Sequence, residues 1–409
     1  MRIADTSRNH LRPTTALSGA LALCLVMGAV TDAAAGSREQ AKRMYDRLAG
    51  VPPTESVLSS MAADITAGNP QNAAATAMQN KNFYNVTLKN FITPWTNEEQ
   101  TVFAPLNDYT ATVIGIIRDD TDFREILSGN ILYTGNNAPA YSTASNAHYE
   151  ALETSGANLG DPTVLVATTQ TYLPDAATAG VITTRQGAKA FFIDGTNRAM
   201  FRFTLLNHLC SDLEQIKDTS RTPDRVRQDV SRSPGGDSRI FMNACVGCHA
   251  GMDPMVQAYA YYNYAYDVTT DPDAESGQLD YNSAGETDPA TGSRVKAKYH
   301  INASNFEYGY HTPDDRWDNY WRAGQNSVLG WDQALTGSGV GAKSMGEELA
   351  HSEAFARCQV EKVFKAVCLR APVDSNDRTQ IDSMIASFKA SDYKLKQVFA
   401  ESAEFCMGD

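Results

Sequence analysis

Residues 244–254 read ACVGCHAGMDP. Two cysteines stand two residues apart and a histidine follows at once. C-x-x-C-H is the spacing at which two thiols add across the two haem vinyl groups while the next residue presents an imidazole to the iron. With seven cysteines and seven histidines in 409 residues, chance supplies this pattern on the order of 0.002 times per chain. A zinc site needs a second ligand pair at suitable spacing, and the chain holds no other CxxC and no HxxxH. The motif therefore predicts one covalent haem c, attached through Cys245 and Cys248, with His249 as the proximal iron ligand.

The group facing His249 across the ring decides the chemistry. Methionine raises the potential, a second histidine lowers it, and an open position admits ligands or peroxide. Met252 and Met255 are too near His249 along the chain to cross the ring, and are expected to pack. Met345, in GVGAKSMGEELAHSEAFARC, reads as lying in a glycine-rich loop ahead of a helix and is the leading distal candidate. His311, in YGYHTPDD, and His300 are the alternatives. Each has a plainer role too: a thioether filling a core gap or an imidazole capping a turn.

Other features read mainly as packing. Trp317 and Trp321, in DDRWDNYWRAG, are four apart and predict one helical face. The run MVQAYAYYNYAY puts Met255, Tyr259, Tyr262 and Tyr266 at helical spacing. Arg225, Arg227, Arg232 and Arg239 precede the motif and are candidates for haem propionates, a solvated basic loop being the plainer alternative. Asp271, Asp273 and Glu275 open like a calcium loop, but Gly277 comes one residue late and no closing glutamate follows.

The first 35 residues predict an export signal: Arg2, Arg8 and Arg12 precede the apolar residues 16–30, and AAAG supplies small residues for cleavage after Ala35. The apolar run is too short to span a bilayer comfortably. The mature chain is thus expected in the periplasm or outside the cell, with no transmembrane anchor, where disulfides persist. Setting aside Cys24 and the motif leaves Cys210, Cys358, Cys368 and Cys406. CQVEKVFKAVC reads as one helix, which separates Cys358 from Cys368 by about 15 Å. A disulfide needs Cα atoms closer than about 7 Å, so these two are expected to pair with Cys210 and Cys406, in either combination.

The chain reads as mainly α. Residues 36–130 predict a helical domain: SREQAKRMYDRLAG ends on a glycine, PTESVLSSMAADITAG offers Thr54 as N-cap and Gly68 as exit, and Leu106, Tyr109, Val113 and Ile116 recur at helical spacing. Residues 131–195, rich in Asn, Ser, Gly and Ala, predict a loop-rich connector with His148 solvated on it. Residues 196–409 predict a cytochrome c-like haem domain. It opens on a long helix through TNRAMFRFTLLNHLCSDLEQIKD, with His208 on its surface or between helices.

CVGCHAGMDPMVQAYAYYNY resembles the haem segment of planctomycete-type cytochrome c proteins, in which CxxCH is followed by Asp-Pro and an aromatic-containing helix. LAHSEAFARCQVEKVFKAVCLRAPVDSNDRTQIDSMIASFKASDYKLKQVFAESAEF is similar to their C-terminal domain. The resemblance covers about residues 240–409, with Met255 in place of the glycine usual after Asp-Pro. It implies an exported, mostly helical protein with a redox role, and carries over Cys245, Cys248 and His249. The expected function is single-electron transfer by a monohaem c-type cytochrome with a redox protein as partner. The alternatives are a peroxidase- or oxygenase-like haem enzyme with an open sixth position, favoured by the chain's length, and a haem-bearing subunit of an extracytoplasmic complex. A net charge of −13 argues against nucleic acid as a partner.

Overall fold

The computed structural model describes residues 35–136, 139–193, 195–225, 238–300 and 310–408. The expected export signal, Cys24, Arg227 and Arg232 lie outside the described residues. Ala35–Asp409 forms one compact unit, and the boundaries expected at 130 and 195 fall inside it. Its described residues are mainly helical, with three two-stranded antiparallel sheets among them. Among the described residues no helix is long and apolar enough to cross a membrane.

Helix α1 (Ser37–Ala49) buries Ala41, Met44, Tyr45 and Leu48, the i, i+3, i+4, i+7 stripe of a helix with one apolar face. Gly50 ends it at φ 70°, a left-handed value that glycine adopts without steric cost. In α2 (Glu55–Thr66) the Thr54 hydroxyl accepts from the Val57 N–H at 3.4 Å, and α3 (Pro70–Met78) begins on its proline. A π-turn (Phe83–Leu88), α4 (Lys89–Ile92) and a 3-10 turn (Thr93–Thr96) lead to α5 (Asp108–Arg118). Every residue of α5 is buried, so the stripe seen in its sequence is only part of what it covers.

Where a loop-rich connector is expected, the described residues include helices and strands. Helix α6 (Glu125–Ser128) and strand β1 (Leu132–Gly135) are followed by α7 (Ala147–Thr154) and β2 (Leu165–Thr168). The strands pair antiparallel from Leu132↔Thr168 to Gly135↔Leu165. His148 is not solvated: it is 1% exposed. Its Nε2 accepts from the Gly135 N–H at 2.9 Å and its Nδ1 donates to the Pro139 carbonyl at 2.7 Å, which ties α7 to β1. Helix α8 (Arg185–Phe191), capped by Thr184, completes this part.

Helix α9 (Arg198–His208) is shorter than its sequence predicts, because the chain turns at Cys210, φ 51°. After α10 (Ser238–Ile240) and a π-turn (Phe241–Cys245) comes α11 (Val246–Val256), which carries most of the motif. The helix expected to run through the tyrosines stops early. Beyond a 3-10 turn the chain forms β3 (Tyr262–Ala265), paired with β4 (Gln278–Tyr281). Tyr262 and Tyr264 are buried from one face of the strand, the period of two that a half-buried strand requires. Trp317 and Trp321 likewise do not share a helix. Trp317 lies on β5 (Arg316–Asp318), which pairs with β6 (Ser338–Val340), and Trp321 on a 3-10 turn, both buried.

The chain closes with α12 (Gly341–Ala350), α13 (Glu353–Cys368), α14 (Ser375–Ala390) and α15 (Leu395–Phe405). Disulfides Cys210–Cys358 and Cys368–Cys406 give one of the two expected combinations and join the end of α9 to α13, and α13 to the end of α15. Arg47 donates to the Cys406 carbonyl at 2.6 Å and Arg43 to that of Met407, so α1 docks on the C-terminal segment. One apolar cluster runs from Ala41 to Ala403.

Candidate haem-attachment site

The motif straddles the junction of the π-turn and α11, with Cys245 as the last residue of the turn and Val246 as the first of the helix. Spacings of three and four place Cys245, Cys248 and His249 on one face of one helical turn. Other residues of the helix pack closely on protein. A Cβ on Gly251 would come within 1.9 Å of Trp321 Nε1, and one on Gly247 within 3.0 Å of Thr219 Cγ2. The two glycines therefore let the helix sit close against these neighbours.

Cys245 and Cys248 are half-buried free thiols, whereas the four other described cysteines are in disulfides. The Cys248 thiol lies 3.5 Å from the Leu213 carbonyl. Burial, then the charge of Glu214, pushes its pKa up, opposite in direction to what a nucleophilic thiolate needs. The His249 side chain is 18% exposed, and the Phe241 ring centroid stands 5.4 Å from its ring. Phe241, Val246 and Ala250 form a small apolar cluster with Cys245 against it. Beside them Ile240 and Met242 are 48% and 44% exposed. An apolar cluster against one of two unpaired thiols, with exposed apolar residues beside it in sequence, suits a flat apolar macrocycle.

His249 Nδ1 donates to Asp253 Oδ2 at 3.1 Å. Asp253 is completely buried and receives a two-pronged bond from Arg198, Nε to Oδ1 at 3.1 Å and Nη2 to Oδ2 at 3.0 Å. With Nδ1 engaged, Nε2 is the nitrogen left for an iron. Neither Asp253 nor Arg198 was singled out from sequence. The i, i+4 spacing of His249 and Asp253 is the one local signal that points to the pair.

Met345 is not in a loop: it sits inside α12, 0% exposed in the main core. That helix rests on α6, where a Cβ on Gly346 would stand 1.8 Å from the Leu127 carbonyl. His300 donates from Nε2 to the Thr312 carbonyl at 3.0 Å, and His311 is exposed with its ring centroid 6.4 Å from that of His300. Met252 and Met255 are core residues. Arg225 pairs with Asp318 at 2.5 Å. Asp271 accepts from the backbone N–H groups of Glu275 and Ser276, closing its own turn.

His208 lies between helices, buried, with its Nε2 2.9 Å from the Tyr109 hydroxyl. Burial and the nearby Lys362 hold its pKa well below the usual imidazole value. Among the described residues no group of three or more His, Cys, Asp or Glu is placed to hold a bare metal ion. The donor set at α11 suits haem c instead, since that group needs two thiols and one imidazole from this segment.

Comparison of the chain with protein-family models, with characterised proteins and with solved structures finds no match.

Proposed function

We propose that the chain is an exported monohaem c-type cytochrome that transfers single electrons, related to the planctomycete-type cytochrome c proteins its C-terminal part resembles. One observation carries this reading: Cys245 and Cys248 remain free thiols on the same helical turn as an imidazole with an open Nε2, in a chain whose other described cysteines are bridged. Cys245 and Cys248 would hold the haem as thioethers and His249 would ligate its iron; bound there, the group supplies a one-electron couple. Phe241, Ile240 and Met242 would keep water from that face, and Asp253 holds the proton on Nδ1. The partial exposure of the motif suits exchange of electrons with a protein partner at short range.

The placement of Met345 in the main core favours a packing role for it. That supports a second reading, in which the sixth position is open or is filled by His300 or His311. With an open position the protein would act as a haem enzyme.

The test is expression in a host that exports proteins and matures c-type haem. The expected product is red, keeps its haem through acid denaturation and loses it in the Cys245→Ala/Cys248→Ala variant. A colourless product whose two motif thiols both react with an alkylating reagent would overturn the assignment.

A further inference from the structure

We propose that Asp253, braced by Arg198, is a positioning residue that makes His249 an electron-rich ligand and sets the iron at the low end of its potential range. The inference rests on the haem reading of α11 and goes beyond it. An ionised carboxylate can only accept hydrogen bonds, so His249 must carry its proton on Nδ1 and offer Nε2. Asp253 is fully buried, where a carboxylate is tolerated only if paired and hydrogen-bonded. Arg198, the first residue of α9, provides that pairing. Its planar fork engages both oxygens and fixes the plane of the carboxylate.

Oδ2 is shared between Arg198 and His249, so the imidazole bonds to a group whose orientation comes from another helix. A carboxylate on the far nitrogen of a ligating histidine raises the basicity of the near one. Such hydrogen bonding around the axial ligand is one of the protein's levers on haem potential. The oxidised iron is the more electron-poor state and gains more from a basic ligand, so the midpoint falls. A partner that reduces this protein must then itself be a low-potential donor.

A purely structural clamp between α9 and α11 would leave the iron's electronics unchanged, which gives the test. Wild-type, Asp253→Asn and Asp253→Glu holoproteins are compared for haem content, midpoint potential and the ferrous iron–histidine stretch. Asp253→Asn is expected to retain haem, to shift the midpoint upward and to lower the stretching frequency, and Asp253→Glu to move both back toward wild type. If Asp253→Asn does not fold, the wild-type stretch decides alone. It is expected above that of a haem c whose histidine bonds to a neutral backbone carbonyl, and a value at or below that reference overturns the proposal. A haem-bearing Asp253→Asn protein with unchanged midpoint and stretch overturns this proposal only. A wild-type chain without haem overturns the haem reading and this inference with it.

Discussion

Gly251 shows how finely one residue sets the site. Its missing side chain leaves room for the indole of Trp321, which is 1% exposed. Gly251→Ala forces a rigid buried ring and α11 apart, and overpacking of this kind costs about 1–3 kcal/mol. A lower denaturation midpoint with an unchanged slope is the expected result; a midpoint equal to wild type would mean that α11 shifts freely. At this scale the sequence is uneven. Cys245, Cys248 and His249 can be nominated from sequence because the motif is complete within five residues. Arg198 stands 55 residues before Asp253, so no local pattern joins them. His148 sits in a polar stretch, and only the fold shows that its ring is enclosed.

Elements were legible where one face is apolar and the ends carry caps, as in α1, α2 and α13. They were misread where the periodicity is mixed. A four-residue strand such as β3 has too few residues to separate a period of two from one of 3.6, so MVQAYAYYNYAY suggested helix throughout. Met345 follows three glycines, which argued for a loop, yet Gly346 belongs inside α12 because it rests on the Leu127 carbonyl. The turn between α13 and α14 gives a prediction of its own. Asp377 is capped by Asp374, accepts from the Val373 N–H and pairs with Arg370. The Arg370 hydrogen bond leads the effects that hold its pKa down to about 2, against about 4 in an unfolded chain. A depressed carboxylate stabilises the fold above its unfolded value and loses that contribution as pH falls through its folded value. Asp377→Asn is therefore expected to destabilise the protein at neutral pH and to flatten the loss of stability between about pH 4 and pH 2. Parallel stability curves for the two proteins across that window would refute the assignment.

The whole molecule is closed by long-range ties. Cys368–Cys406 spans 38 residues and Cys210–Cys358 spans 148, so both restrain the unfolded chain. Cys368→Ser/Cys406→Ser is expected to cost about 2–5 kcal/mol and to loosen α15 and, through Arg43 and Arg47, α1. Hydrogen exchange should quicken in both helices, and quickening in α15 alone would mean that α1 does not depend on that bridge. The mainly helical class could be read from sequence. The docking of α1 on the C-terminal segment could not, since those contacts join residues more than 350 positions apart. Haem attachment remains the claim on which the functional account stands. It is tested most directly by the mass of the proteolytic peptide that spans Cys245 and Cys248 in the exported, purified protein. The expected result is that peptide carrying the added mass of one haem, with neither thiol free to alkylate. The same peptide at its unmodified mass, or bridged by a disulfide between its own two cysteines, would contradict it.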